Sequence, residues 1–308
     1  MTGRVYKSTG SWYLVKEASG AFLQARIKGR FKIDDITSTN PIAVGDLVDL
    51  EMGEEGEKTY TITHIHDRKN YVNRRSPAHK HQHHIIASNL DQSLLVATLR
   101  EPRTSQGFVD RFLVACEAYH VPAIIVLNKS DIYKKKDLEV CAEWRQVYEA
   151  VGYTILLASS ETGEGLDALK ELLKGKITLM SGHSGVGKST LINALMPELA
   201  LRTSEVSGWS GKGMHTTTFA EMFDLPFGGQ IIDTPGMREF GIVDISRQEL
   251  SHYFPEMRAL LSQCQFNNCL HVNEPGCAVK EAAAEGVIPL ERYHSYGAIL
   301  ESIEDRNW

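Results

Sequence analysis

Gly182-His183-Ser184-Gly185-Val186-Gly187-Lys188-Ser189 fits G-x-x-x-x-G-K-[ST]. Its glycines let a loop turn successive backbone N–H groups onto phosphate oxygens. Lys188 offers a cation to the β/γ oxygens, and Ser189 a hydroxyl to Mg²⁺. The apolar run Ile177-Thr178-Leu179-Met180 is the strand that must precede such a loop, and Thr190-Leu191-Ile192-Asn193-Ala194-Leu195 the helix that must follow. Asn128-Lys129-Ser130-Asp131 fits N-K-x-D at the end of a second apolar run, Ala123 to Leu127. The Asp131 carboxylate can accept paired hydrogen bonds from guanine N1–H and the exocyclic amine. Adenine lacks that donor pair, so a carboxylate here selects GTP. Asn128 can contact the other edge of the base, and the Lys129 stem can lie over its plane. Ala158-Ser159-Ser160, after the strand-like run Thr154 to Leu157, reads as a loop backing the base.

Asp233-Thr234-Pro235-Gly236 fits D-x-x-G, a motif that senses a terminal phosphate. Asp233 is placed to hold Mg²⁺ through water, and the Gly236 N–H to meet the γ-phosphate. Between the phosphate loop and this motif lies Gly213-Met214-His215-Thr216-Thr217-Thr218. A threonine here should close over Mg²⁺; Thr217 is the first choice, with Thr216 and Thr218 still open. Met237 follows Gly236, where Ras-like GTPases place a water-orienting glutamine. A thioether does not orient water, so slow intrinsic hydrolysis is expected. His215 is the nearest candidate for that role, with Lys188 and Gly236 holding the transferring phosphate. The usual order of the three motifs is phosphate loop, D-x-x-G, N-K-x-D. Here N-K-x-D comes first, so the cycle has been cut open and the sensing loop runs directly into the C-terminal region.

Cys264, Cys269, His271 and Cys277 give C-x₄-C-x-H-x₅-C. Four soft ligands within 14 residues suit tetrahedral Zn²⁺. With every position filled by protein, a structural zinc is expected. Cys116 and Cys141 fall in helical patterns and read as core. His79, His81, His83 and His84 lack cysteine partners and read as a partly charged loop facing an anionic partner, an RNA contact with which Trp209 and Lys212 are also compatible.

Five short, mostly alternating runs occupy residues 1–67, with glycines in or near the gaps, as expected for a small closed barrel of OB or SH3-like type. Residues 68–89 read as a basic linker. From Leu94 to about residue 242, near-continuous apolar strands alternate with amphipathic helices, the pattern of a mostly parallel sheet covered on both faces. Residues 243–308 read as helices around the Cys/His loop. The net charge of −6 argues against a uniformly basic nucleic-acid binder, yet residues 1–75 hold 12 Lys/Arg against 10 Asp/Glu. No apolar run approaches the roughly 18 residues of a membrane span. Nor does the N-terminus read as a signal peptide, so a cytoplasmic protein is expected.

Together these features resemble the circularly permuted GTPases of the RsgA family (also called YjeQ or YloQ), which act on the small ribosomal subunit. The resemblance covers essentially the whole chain. It implies an α/β fold in which a permuted P-loop GTPase domain (90–242) is flanked by an OB-type barrel (1–67) and a helical Cys₃His zinc domain (243–308). It further implies a late assembly factor that binds rRNA, cycles between GTP and GDP with Mg²⁺, carries one zinc, works as a monomer without a membrane, and is switched on by the small subunit. His183 stands where that family is expected to carry glutamine, at a position offering mainly backbone. A GTP-binding RNA scaffold without turnover and a large-subunit assembly GTPase are the competing readings.

Overall fold

The computed structural model describes residues 1–27, 41–53, 59–75, 83–197, 220–233 and 245–303 of the 308-residue chain. The N-terminal strands are β1 (Thr2–Ser8), β2 (Tyr13–Glu17), β3 (Phe22–Ile27), β4 (Leu47–Met52) and β5 (Tyr60–Ile65). They run in the order β1-β2-β3-β5-β4, and a β1–β4 pairing closes the barrel. The parallel β3–β5 pairing, Ala25 opposite Tyr60, gives the Greek-key closure of an OB fold and rules out the SH3-like alternative. Alternation places Val5, Tyr13, Val15, Ala25, Val48, Leu50 and Ile62 inside, where they form one core with Ile42.

The connector contains structure of its own. β6 (Tyr71–Arg75) and β7 (His83–Ser88) pair as an antiparallel ribbon with Val72 opposite Ala87. Both residues are fully buried, and this short apolar contact, diluted among basic residues, is why the segment reads in sequence as a linker. Asp46, in the turn just before β4, accepts from Arg68 Nε at 2.6 Å and from Ser88 Oγ at 2.5 Å, so the ribbon is stapled to the barrel.

The second layer system contains β8 (Gln92–Ala97), α1 (Gln106–Ala118), β9 (Ala123–Leu127), α2 (Lys135–Ala150), β10 (Thr154–Leu157), α3 (Leu166–Leu173), β11 (Ile177–Ser181), α4 (Lys188–Leu195), β12 (Glu221–Asp224) and β13 (Gln230–Asp233). The strand order is β10-β9-β8-β11-β13-β12, parallel except for the antiparallel β12. β8 and β11 are buried on both faces, which is why their sequences are runs rather than alternations. One apolar cluster lies on the α1/α2 face and another on the α3/α4 face.

Strand β12, four residues with two acidic ends, carries too little pattern to be read from sequence. It is nonetheless the hinge of the architecture: β1 pairs with it, Lys7 opposite Glu221, joining barrel and parallel sheet into one eleven-stranded surface. The C-terminal region contributes no strand among the described residues. Helices α5 (Pro255–Arg258), α6 (Ala278–Ala284) and α7 (Leu290–Ser302) surround the Cys/His loop on a core of Leu250, Phe254, Met257, Tyr296 and Ile299.

Candidate nucleotide and metal sites

The carboxyl ends of β8, β9, β10, β11 and β13 lie along one edge of a parallel sheet, the edge at which such sheets take ligands. β11 delivers the chain at Ser181 into the loop 182–187, and α4 begins at Lys188. Glycine is required at two points. Gly182 has φ +137°, and a Cβ there would lie 2.3 Å from Val96 O. Gly187 has φ +92°, and its Cβ would meet Asn128 Nδ2 at 2.5 Å. Lys188 Nζ donates to Gly182 O and, at 3.0 Å, to His183 O. Burial pulls the Lys188 pKa down from its ordinary value, while the negative charge of Asp233 opposes this. Asp233 ends β13 directly beside Met180 of β11. Ser184, Ser189 and Thr190 are exposed at the loop and on the first turn of α4, and Val186 is fully buried beneath them.

Asn128 leaves β9 almost fully buried. Its Nδ2 donates to Val186 O at 2.9 Å, and its Oδ1 accepts from Ser160 N at 3.2 Å and Ser160 Oγ at 3.0 Å. One side chain therefore ties the phosphate loop to both base-side loops. Lys129 takes the left-handed backbone, φ +64°, and its Nζ donates to Glu101 O. Asp131 is exposed, with Oδ1 receiving Ser159 Oγ at 2.5 Å. Ser159 is fully buried and its Oγ accepts from Glu161 N and Thr162 N, so its proton is free for Asp131. Ser130 Oγ donates to Glu164, and Ser130 N to Ala158 O at 3.0 Å. The arrangement holds the Asp131 carboxylate through Ser159 in a segment that Asn128 bonds to the glycine-rich loop.

Sequence reasoning missed Tyr133 and Thr104, which no motif marks. Tyr133 Oη donates to Asn128 O at 2.7 Å and accepts from Leu99 N at 3.0 Å; burial raises its pKa to about 12. Thr104 meets His183. His215, Thr216, Thr217, Thr218, Thr234, Gly236, Met237, Trp209, Lys212, His79 and His81 lie outside the described residues.

The second site stands in the C-terminal core. One donor atom from each of Cys264, Cys269, His271 and Cys277 lies within 4.8 Å of the others. His271 Nδ1 is 3.3 Å from Cys277 Sγ and 3.7 Å from Cys264 Sγ. Burial pushes the Cys269 thiol up to about 12, raises Cys277, and lowers His271. Such a set favours neutral thiols on its own, and a cation among them reverses that preference. The donors therefore fit a metal ion. Glu274 shapes the loop: it accepts from Leu270 N at 2.9 Å and from Val272 N and Asn273 N at 3.0 Å. Burial works against its charge, but these backbone donors hold the carboxylate down to about 2.

The family model for the RsgA GTPase matches residues 65–243, and that for the RsgA N-terminal domain matches residues 2–60. The chain belongs to the RsgA GTPase family. It is 53% identical over 306 residues to the small ribosomal subunit biogenesis GTPase RsgA of Flavobacterium psychrophilum, covering 99% of this chain and 94% of that one. It is 50% identical over 305 residues to the protein of the same name from Bacteroides fragilis, covering 99% and 98%. The crystal structure of YjeQ from Thermotoga maritima superimposes with a TM-score of 0.81 at 35% identity, covering 99% of each chain. YloQ, a circularly permuted GTPase, superimposes with a TM-score of 0.77 at 30% identity, covering 100% of this chain and 96% of the other. The chain thus has the permuted GTPase fold with an OB barrel before it and a Cys₃His cluster after it, and its enzyme class is GTP hydrolase. Among the described residues no helix is long and apolar enough to cross a membrane.

Proposed function

We propose that this chain hydrolyses GTP to GDP and phosphate as a late maturation factor of the small ribosomal subunit, and that the subunit stimulates the hydrolysis. The observation that carries the reading is the convergence of the phosphate loop and both base-side loops through Asn128, in a chain whose full length matches small-subunit biogenesis GTPases. In this reading Asp131, with Asn128, Lys129, Ser130, Ala158, Ser159 and Ser160, binds guanine. Residues Gly182 to Thr190 wrap the phosphates, and Lys188 and the Gly236 N–H hold the transferring group. Ser189 and Asp233, with Thr217, hold Mg²⁺, which when bound neutralises charge at the β/γ oxygens. His215 orients water. Cys264, Cys269, His271 and Cys277 hold one Zn²⁺, which when bound cross-links the loop. Residues 1–67 form an RNA-binding barrel, 68–89 a basic connector, 90–242 the hydrolytic domain and 243–308 the zinc domain. The chain works as a cytoplasmic monomer; buried thiols beside a histidine suit a reducing compartment.

The test is the GTPase rate of the purified chain with and without mature small subunits. A rise on adding small subunits, absent with large subunits, is expected. An unchanged rate would favour an RNA scaffold that holds GTP, the reading to which Met237 lends weight.

A further inference from the structure

The second residue of the phosphate loop is bonded to a turn outside it. His183 Nε2 lies 2.8 Å from Thr104 Oγ1, and His183 Nδ1 lies 3.3 Å from Ser184 O. A carbonyl oxygen only accepts, so Nδ1 carries the proton, and in the neutral ring Nε2 accepts the Thr104 hydroxyl. Thr104 is 1% exposed and cannot turn away. Its Oγ1 accepts from Thr98 N at 3.0 Å, and its own N–H donates to Thr98 O at 2.7 Å. Phe108, in the first turn of α1, meets the imidazole edge-on with ring centroids 5.3 Å apart. Pro102 of the same turn walls the loop further along, 3.3 Å from where a Cβ on Gly185 would stand. The side chain of His183 is therefore gripped by residues 104–108, while its carbonyl belongs to the loop that Lys188 contacts.

Resting on the reading of this edge as a GTP site, we propose that His183 is a positioning residue for hydrolysis, locking the phosphate loop to the Thr98–Thr104 turn and to the start of α1. A glycine-rich loop has many backbone states, and its N–H groups bind phosphate well only if aimed beforehand. Asn128 fixes the loop at Val186; the His183–Thr104 bond fixes its opening end. Loss of the second anchor leaves the base in place and lets the transferring phosphate shift. The effect therefore falls on kcat more than on KM, by roughly 10- to 100-fold.

The experiment uses the full chain, with single-turnover GTP hydrolysis and titration with a fluorescent GDP. His183→Ala and Thr104→Val should each slow hydrolysis by about that factor with nucleotide affinity little changed, and the double variant should be no slower than either. Thr104→Ser, which keeps the hydroxyl, should retain the wild-type rate. Imidazole ¹⁵N spectra, assigned by the signal lost in His183→Gln, should show the Nδ1–H tautomer. Multiplicative losses in the double variant, a wild-type rate for Thr104→Val, or an Nε2–H tautomer would each overturn the proposal alone. A wild-type chain that binds no guanine nucleotide would overturn the site reading and this proposal with it.

Discussion

Asp131 shows how much of a candidate binding residue lies in its neighbours. The carboxylate is exposed, yet one oxygen is already occupied by the hydroxyl of fully buried Ser159, itself pinned by two backbone N–H groups. That fixes the carboxylate plane before any base arrives. Asp131→Asn replaces an acceptor with a donor facing the guanine amine, and should weaken GTP by about 2–3 kcal/mol, the cost of an unmet polar group in a closed site. Xanthosine triphosphate should recover binding, because its base presents an acceptor where guanine has the amine. Titration with both nucleotides checks this, and unchanged GTP affinity in the variant would remove Asp131 from the base pocket. The motif residues themselves were legible because each chemistry demands a residue type at a fixed spacing. Ser159 was legible as a loop, but its grip on Asp131 was not. Tyr133 and Thr104 were invisible, since a buried hydroxyl that braces a backbone has no spacing to announce it.

Among the elements, those with a long apolar run or clean alternation were readable: β8, β9 and β11, and the barrel strands. β12 and the β6–β7 ribbon were not, because each is a short hairpin strand whose apolar pattern is too slight to read: β12 has acidic ends, and the ribbon's Val72–Ala87 contact lies among basic residues. The Cys/His loop sits between these cases. Its cysteines and histidine are plain in sequence, whereas the Glu274 cap that folds the backbone around them is not. The loop's buried donors contribute to a C-terminal core that includes Cys269 and Cys277 alongside Phe254 and Tyr296. Structural zinc supplies on the order of 10 kcal/mol to folding such sites. Cys269→Ala, or a strong chelator, should therefore unfold this region locally. Nucleotide binding should be largely retained, because the phosphate and base loops rest on separate apolar clusters. Metal analysis together with nucleotide titration decides the point: one zinc per wild-type chain is expected, and carefully purified wild-type protein without zinc would sink the Cys₃His assignment.

In the whole molecule, both flanking units are fastened to the GTPase body, the barrel at β12 and the C-terminal unit at α1. The barrel is held by Lys7–Glu221 at 2.8 Å, Lys16–Asp224 at 2.6 Å and Tyr6 Oη to Asp224 at 2.7 Å. Across the sheet, Glu221 faces Lys7 on one side and Asp233 on the other. The C-terminal unit is fastened to α1 by fully buried Arg292, which meets Asp110 and Glu256 at 2.7 Å each and lies over the Phe254 ring, and by Arg258–Glu117 at 3.0 Å. It is also the next stretch of chain after the sensing motif, a consequence of the permutation. A γ-phosphate that contacts that motif is expected to bias how these units sit. By linkage, an RNA surface preferring one placement must change GTP affinity by the same factor, typically about 5- to 150-fold. The small subunit should accordingly bind more tightly with a non-hydrolysable GTP analogue than with GDP. Since a thioether at Met237 does not orient water, docking is expected to complete the site, and His215→Ala should keep subunit binding while losing most of the stimulated rate. Sedimentation of the chain with small subunits in each nucleotide state, alongside stimulated turnover, separates the two claims. Equal subunit affinity in both states would refute the coupling, whereas a fully stimulated His215→Ala enzyme would refute only the role given to His215.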